Sequence, residues 1–200
     1  MATKREVESS EIGQQFFYGE GKRKSYRKAF PYLLVAAEAG DPHCQNLVGY
    51  SYDRGLGVAR DAQAAIRWYE YAADNDDTEG LFNLALSYEK GEGVELNEKK
   101  AFSLYKRAAK LGHAGSQCNL GVAYLEGLGT KQNLAEGIKW LQRAARKGDA
   151  KAQYNLGMAY RDGEGVRKNT KHAKAWFKRA AKQGHKKAAV SLKRLSTESS

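Results

Sequence analysis

The stretch Gly49-x-x-Tyr52-x-x-Gly55-x-Gly57-Val58 decides the fold, because the same pattern returns at a constant spacing along the chain. The copies lie 36 residues apart, and no insertion or deletion separates them. A period of this size is typical of proteins that stack one structural unit repeatedly. The glycines of the other copies are Gly13, Gly19 and Gly21, then Gly91 and Gly93, then Gly121, Gly127 and Gly129, and finally Gly157, Gly163 and Gly165.

Each unit is predicted to contain two helices. Apolar residues at positions 65, 68, 69, 72 and 73 follow helical spacing, and so do those at 44, 48, 49 and 52. The paired glycines end the first helix and turn the chain. Residue types that cap helix N-termini precede the second helix at one fixed position: Ser25, Asp61, Asn97, Asn133 and Asn169. A stack of such helix pairs is an all-α solenoid, in which each unit contacts mainly its neighbours.

The repeat covers almost all of the 200 residues, so we expect a single solenoid domain over residues 7–195. Five units are expected at about 7–42, 43–78, 79–114, 115–150 and 151–186, followed by a C-terminal capping helix over 185–195. Residues 1–6 are predicted to form a flexible N-terminus, and residues 196–200 a disordered tail.

The fifth unit resembles a known repeat family. It reads Gln153-Tyr154-Asn155-Leu156-Gly157-Met158-Ala159-Tyr160-Arg161-Asp162-Gly163-Glu164-Gly165-Val166 and continues with Ala173, Trp176-Phe177, Ala180-Ala181 and Gly184. This pattern is similar to the Sel-one-like repeat, a relative of the tetratricopeptide repeat, and the similarity extends over about residues 7–192. The resemblance implies a right-handed α/α superhelix with a concave groove, used mostly as a protein-binding adaptor or scaffold. It implies no shared catalytic chemistry.

Composition excludes several other classes of protein. Hydrophobic residues make up 42% and charged residues 28%, which is ordinary for a soluble globular protein. No apolar run approaches the ~18 residues that a membrane span needs. The charged N-terminus lacks the apolar core of a secretory signal, so a cytoplasmic location is expected. Cys44 and Cys118 fall at different repeat positions, so the cysteine-rich branch of the family is not matched and no disulfide framework is predicted.

Neither catalysis nor cofactor binding is predicted. The Gly-x-Gly pairs are interpreted as turns, because a dinucleotide-binding fingerprint needs a preceding strand and the chain has no β-rich run. His113 and His185 share a helix-start position that aspartate usually fills, and no carboxylate recurs beside them at metal-ligand spacing. No nucleophile has a partnered base in the pattern. We therefore expect a protein that is not an enzyme and needs no cofactor or metal.

One candidate binding region lies on the first helices, which usually line the concave wall of such arrays. We call its six candidate residues the groove positions: Tyr50, Arg54, Asn83, Lys90, Asn119 and Asn155. The asparagines are candidates for hydrogen bonds to the backbone of an extended peptide. The alternative is a hydrogen bond between helices that fixes the stacking of units, and the sequence leaves both open. The repeat position of Arg54 and Lys90 holds Glu126 and Asp162 in later units, and this change of sign along the array would orient a bound segment.

A second candidate region is the strongly basic last unit. Residues 1–164 carry a net charge of +1, whereas residues 165–200 carry 11 Lys/Arg and one acid, a net of +10. We call the following candidate residues the basic end: Lys171, Lys174, Lys178, Arg179, Lys182, Lys186 and Lys187. An acidic protein surface is the favoured partner, with nucleic acid as an alternative that lacks a recognised reading motif. A smaller basic cluster, Lys22, Arg23, Lys24, Arg27 and Lys28, lies in the loop of the first unit.

The function hypothesis is therefore a cytoplasmic, non-enzymatic adaptor that holds another protein in its groove or at its basic end. One alternative is an immunity or regulatory protein that neutralises a partner enzyme. Another is nucleic-acid or polyanion binding through the basic end. The sequence predicts neither the identity of the partner nor the oligomeric state.

Overall fold

The computed structural model describes residues 3–197, and within that range the secondary structure is helical, with no strand. The predicted all-α architecture of helix pairs is therefore confirmed. The helices are α1 (Lys4–Tyr18), α2 (Tyr26–Glu38), α3 (Pro42–Arg54), α4 (Ala62–Asp74), α5 (Thr78–Lys90), α6 (Glu98–Lys110), α7 (Ala114–Glu126), α8 (Leu134–Arg146), α9 (Ala150–Asp162), α10 (Thr170–Lys182) and α11 (Lys186–Thr197).

Side-chain caps and left-handed glycines set the helix ends, as the repeat pattern predicted. Asp61 accepts a hydrogen bond from the backbone N–H of Ala64 at 2.9 Å, which satisfies one of the free donors of the first turn of α4. The four other predicted caps of second helices make the same contact. Gly55, with φ +68°, ends α3 in the left-handed region that glycine adopts at no steric cost.

The first and last helices are longer than the sequence pattern indicated. Helix α1 begins at Lys4, within the predicted flexible N-terminus, because Thr3 and Glu6 form a reciprocal capping box. Helix α11 continues to Thr197, two residues into the predicted tail, where the Ser196 hydroxyl donates to the Leu192 carbonyl. The remaining residues of both predicted segments, 1–2 and 198–200, lie outside the described range.

Two compact units divide the chain, one ending at Leu104 and the other beginning at Tyr105, within α6. The sequence pattern predicted one domain over 7–195. Each helix pair in such an array contacts mainly its neighbours, so each unit has a hydrophobic core of its own. In the first unit, α1 packs on α2, α3 on α4, and α2 and α4 contact the helices that follow them. In the second unit, α7 packs on α8, α9 on α10, and α8 and α10 contact α9 and α11.

Glycines inside the first helices allow the two helices of a pair to approach closely. A Cβ atom placed on Gly49 would lie 2.7 Å from the Tyr69 ring, and one on Gly157 would lie 2.6 Å from the Phe177 ring. Tyr69 and Phe177 are buried, so their rings occupy the space that a larger residue would need. Each glycine costs about 1 kcal/mol of helix propensity relative to alanine, and the packing of the large partner offsets that loss.

The second glycine of the Gly-x-Gly turn has a separate role in the second and third repeats. Gly57, with φ +77°, lies directly against the backbone of Tyr26, and an added Cβ would overlap the Tyr26 carbonyl oxygen. Gly93 lies in the same way against Ala62, whose carbonyl oxygen would be 2.7 Å from the added atom. Tyr26 and Ala62 are the first residues of α2 and α4, so each turn docks on the start of the preceding unit's second helix.

Gly57→Ala is predicted to destabilise the fold more than Gly55→Ala. Both glycines have positive φ and share the left-handed penalty of about 1–2 kcal/mol. The nearest atom to an added Cβ at Gly55 is 3.6 Å away, whereas Gly57 has the overlap with Tyr26. The overlap should add about 1–3 kcal/mol. Urea unfolding of the two variants measures the difference, and equal losses would show that the turn does not need its close approach to α2.

Candidate interaction surfaces

Three groove positions in the first compact unit contact residues close to them in the sequence. The Arg54 guanidinium lies 5.7 Å from the ring centroid of Tyr50 on the same helix, α3. Its Nε is also 3.0 Å from the Asp53 carboxylate. Lys90, at the end of α5, has its Nζ 3.9 Å from Glu92. Arg54 and Lys90 are exposed, so their charges are open to solvent, although each has a carboxylate neighbour.

Asn83 makes a hydrogen bond between helices, of the kind that fixes the stacking of units. Its Nδ2 donates to Oδ1 of Asn46 at 2.9 Å, and the two side chains join α5 to α3 of the preceding repeat. Asn46 is buried, with 5% of its surface exposed. A buried amide oxygen needs a donor, so this contact supports a packing role for Asn83.

The other two asparagines lie in the second compact unit. Asn119 accepts a hydrogen bond from Lys151 Nζ at 3.0 Å, and Nδ2 of Asn155 lies 4.0 Å from the sulfur of Cys118. Asn155 thus repeats the contact of Asn83, because each reaches a residue 37 positions earlier on the preceding first helix. All three asparagines are half-buried and already have a partner inside the protein. A role in binding a peptide stays a prediction.

Asn83→Ala is predicted to lower the free energy of unfolding by about 1–3 kcal/mol, because it leaves the buried Asn46 carbonyl without a donor. Asn119→Ala is the control: its partner Lys151 is exposed and can be hydrated instead. Urea unfolding of both variants, of Asn46→Ala and of the double variant Asn46→Ala/Asn83→Ala measures the coupling between Asn46 and Asn83. Additive losses in the double variant would contradict the inter-helix hydrogen bond.

The basic end lies on the outer faces of α10 and α11. Ala173, Phe177 and Ala180 bury one side of α10. Lys171, Lys174, Lys178 and Lys182 follow at intervals of three and four residues, which places them along one stripe of the helix. Every member of the basic end is exposed except Lys174, which is half-buried. The Arg179 guanidinium stacks over Trp176, 4.6 Å from the ring centroid.

Two further basic residues, which the sequence analysis missed, continue the basic end into the preceding repeat. Arg143 lies 4.4 Å from the ring centroid of Trp140, the same contact that Arg179 makes one repeat later. Arg146 ends α8 as Lys182 ends α10. The C-terminal ends of α8 and α10 are adjacent, because Gln183 Nε2 donates to the Gly148 carbonyl at 2.9 Å. Both arginines precede residues 165–200, where the excess positive charge was noted. Comparison of equivalent positions in neighbouring repeats would have found them.

A recurrent glutamine was also missed, although it returns in three units at the same position. Nε2 of Gln45, Gln117 and Gln153 donates to the carbonyl oxygens of Ala37, Ala109 and Ala145, at 3.1–3.2 Å. All three glutamines are buried. They hold the first helix of a repeat to the end of the second helix before it, so their role is structural.

The cysteines and two of the histidines have packing or capping roles. Cys44 and Cys118 are buried, and burial raises the pKa of each thiol to about 12. Nδ1 of His113 accepts the backbone N–H of Ser116 at 3.1 Å, and Nδ1 of His185 accepts that of Ala188 at 3.2 Å. Residues 3–197 contain no group of three His, Cys, Asp or Glu side chains placed to hold a metal ion.

Both thiols are predicted to be inert in the native protein. With a pKa near 12, the reactive thiolate is roughly one part in ten thousand at pH 8, and burial blocks access to the sulfur. Labelling with dithionitrobenzoate should therefore be complete in denaturant and very slow in buffer. Rapid native labelling of either thiol would contradict the burial of both sulfurs.

None of the helices within residues 3–197 combines the length and apolar character that crossing a lipid bilayer requires.

The family model of the Sel1 repeat matches the chain five times, at residues 11–41, 42–77, 78–113, 114–149 and 150–185. These matches follow each other without a gap and keep the 36-residue period. Each begins within a few residues of the boundary that the sequence pattern predicted.

Solved structures of bacterial proteins share this fold. A Sel1 repeat protein from Oxalobacter formigenes is 31% identical with a TM-score of 0.84, over 92% of this chain and 75% of that one. Immunity protein Pa5087 from Pseudomonas aeruginosa is 21% identical with a TM-score of 0.60, over 94% of this chain and 70% of that one. The likeness to the immunity protein shows the fold alone.

Curated relatives match through one stretch only. Chitin synthase regulator SKT5 from Saccharomyces cerevisiae is 41% identical over 58 residues, which are 29% of this chain and 8% of that protein. The chain thus spans less than a tenth of the length of this relative.

Proposed function

The chain belongs to the Sel1 repeat family, a family of protein-interaction scaffolds, and on that premise we propose that it is a non-enzymatic adaptor whose basic end binds an acidic segment of a partner protein. The proposal assigns recognition to a charged surface on α10 and α11. We favour the basic end over the groove positions as the binding surface, because the asparagines among the groove positions already have partners inside the protein.

The observation that carries the proposal is the unpaired charge of six members of the basic end, Lys174 excepted. Within residues 3–197, no carboxylate lies within ion-pairing distance of Lys171, Lys178, Arg179, Lys182, Lys186 or Lys187. Like charges at three- and four-residue spacing on one helix are mutually unfavourable. An acidic partner would relieve that repulsion and would be attracted over a distance of about 10 Å at ordinary salt.

The aromatic residues of the basic end favour a protein partner over single-stranded nucleic acid. Nucleic-acid grooves combine positive charge with exposed rings on which bases stack. Here the face of Trp176 is covered by the Arg179 guanidinium, and Phe177 is fully buried. The surface therefore supplies charge without a stacking platform, which suits carboxylates displayed on a protein.

A partner enzyme that the chain neutralises remains the narrower form of the proposal. The likeness to an immunity protein at 21% identity supports only a shared fold, so the acidic surface could belong to an enzyme or to a non-enzymatic protein. Identifying the captured partner decides between the two.

Binding to a synthetic glutamate-rich peptide is predicted to depend on the basic end. The variant Lys178→Gln/Lys182→Gln/Lys186→Gln/Lys187→Gln should lose about tenfold or more in affinity, with a shallower salt dependence, because the variant contacts fewer carboxylates of the peptide and so releases fewer counterions on binding. Fluorescence anisotropy measures both quantities. The matched control Lys99→Gln/Lys100→Gln/Lys106→Gln/Lys110→Gln removes the same charge from α6 and should bind as the parent does.

A single-stranded RNA of equal charge is the competing ligand in that titration. Tighter binding of the RNA than of the peptide would overturn the proposal. So would an equal loss of peptide affinity in the basic-end variant and in the α6 control. Affinity purification from the native host, with the basic-end variant as the reference, then identifies the partner.

A further inference from the structure

A pocket of about 580 Å³ lies beside the loop of the first repeat, remote in sequence from the basic end. Four of its lining residues are cations, and none is acidic. We call it the loop pocket, and its lining residues are Phe16, Lys22, Arg23, Lys24, Ser25 and Lys28. Glu20 lies in the same loop but does not line the pocket.

The cations of the loop pocket converge on aromatic rings. Lys22 Nζ lies 4.7 Å from the ring centroid of Phe16, and Lys28 Nζ lies 5.7 Å from the same centroid. Lys24 Nζ lies 4.9 Å from the ring centroid of Tyr26. Two ammonium groups beside one ring repel each other, and the negative face of the ring offsets only part of that repulsion.

The cations of the loop pocket have no ion-pair partner in the part of the chain that the structure describes. Among residues 3–197, neither Lys22, Arg23, Lys24 nor Lys28 has an acidic side chain within ion-pairing distance. The surplus charge thus faces an open pocket instead of a partner on the protein.

The start of α2 adds positive potential at the pocket wall. Ser25 lines the pocket and is the N-cap of α2, and the first turn of that helix contains no acidic residue. The free backbone N–H groups of a helix N-terminus favour anions. The four other second helices are capped by Asp61 or by asparagines, so this repeat presents a neutral hydroxyl where the second repeat presents a carboxylate.

From this geometry we propose that the loop pocket binds a small polyphosphate anion. Four cations match a ligand with three or four negative charges better than a single carboxylate or inorganic phosphate. The volume admits several linked phosphate groups, and lysine is a point-charge ligand for phosphate oxygens. The site is built from side chains and does not depend on the Gly-x-Gly turn acting as a phosphate loop.

The ligand chemistry has two possible sources, inorganic polyphosphate and the phosphate tail of a nucleoside triphosphate. Phe16 is the aromatic residue that lines the pocket, and lysines already lie beside its ring. A nucleobase therefore gains no free stacking surface there. Tripolyphosphate and ATP should bind with similar affinity, and a strong preference for ATP would identify a nucleotide as the source.

Isothermal titration of the full chain at low salt tests the proposal with tripolyphosphate, ATP and inorganic phosphate. Tripolyphosphate should bind at least about tenfold more tightly than inorganic phosphate, because more cations contact it. Lys22→Gln/Lys28→Gln should weaken tripolyphosphate binding about tenfold or more, as should Arg23→Gln/Lys24→Gln, which changes exposed residues alone. Thermal unfolding checks that each variant is folded.

The control variant Lys178→Gln/Lys182→Gln removes the same charge from the basic end and should bind tripolyphosphate as the parent does. Loss of binding in this variant, with none in the two pocket variants, would place polyphosphate at the basic end and overturn the proposal. Absent or equally weak binding of all three anions would also overturn it, since the lysines would then be a solvated patch. The acidic-peptide titration of the basic end is independent of either outcome.

Discussion

Close approach of helices at positions without a side chain is the constraint on which the rest of the structure depends. The space beside Gly49 is filled by Tyr69 and that beside Gly157 by Phe177, so each of these two pairs of helices has one permitted register. Between repeats, Gly80 lies against Ala72, where an added Cβ would be 2.5 Å from the alanine methyl carbon. A single inserted residue would rotate a helix by about 100° and place a side chain where the neighbour has none. The unbroken 36-residue period follows from this requirement.

Such close docking covers the ends of the second helices, and buried amide side chains satisfy the carbonyl groups there. In Gln153 both polar atoms of the amide have a partner. Its Nε2 donates to the Ala145 carbonyl, and its Oε1 accepts from Gln183 at 2.9 Å. In Gln45 and Gln117, within the described residues, Oε1 lacks a partner. Leaving a buried carbonyl unmet costs about 1–3 kcal/mol, so each of these two repeats gains one hydrogen bond and forgoes another. Stability is therefore unevenly shared among repeats that look alike in sequence.

The sequence was sufficient to predict the helix pairs, their caps and their turns, because those features depend on residues close together in the chain. It was insufficient for the groove positions. Asn83 reaches Asn46 across one repeat, and which donor meets which acceptor there depends on the packed distance between helices, which spacing alone does not give. The basic end was found as a run of charge along α10 and α11. Arg143 and Arg146 lie one repeat earlier, outside that run, and packing brings the end of α8 beside the end of α10. The extra turn of α1 depended on one local capping box, Thr3 with Glu6, that lies outside the repeat.

Packing uses the same positions in every repeat, so chemistry specific to this protein must lie where a repeat departs from that pattern. Lys22 is an instance: the equivalent residues are Val58, Val94, Thr130 and Val166, none of which carries a charge. Within residues 3–197, no atom lies within 4 Å of a Cβ added to Gly21, whereas Gly57 lies against Tyr26, so the loop of the first repeat is free of the contact that constrains the second. The basic residues of α10 are a second instance, because Lys174 lies where the earlier repeats have Phe30, Ile66, Phe102 and Ile138. Both positively charged surfaces thus lie where a repeat departs from the shared pattern, and side chains there can differ without disturbing the contact between units.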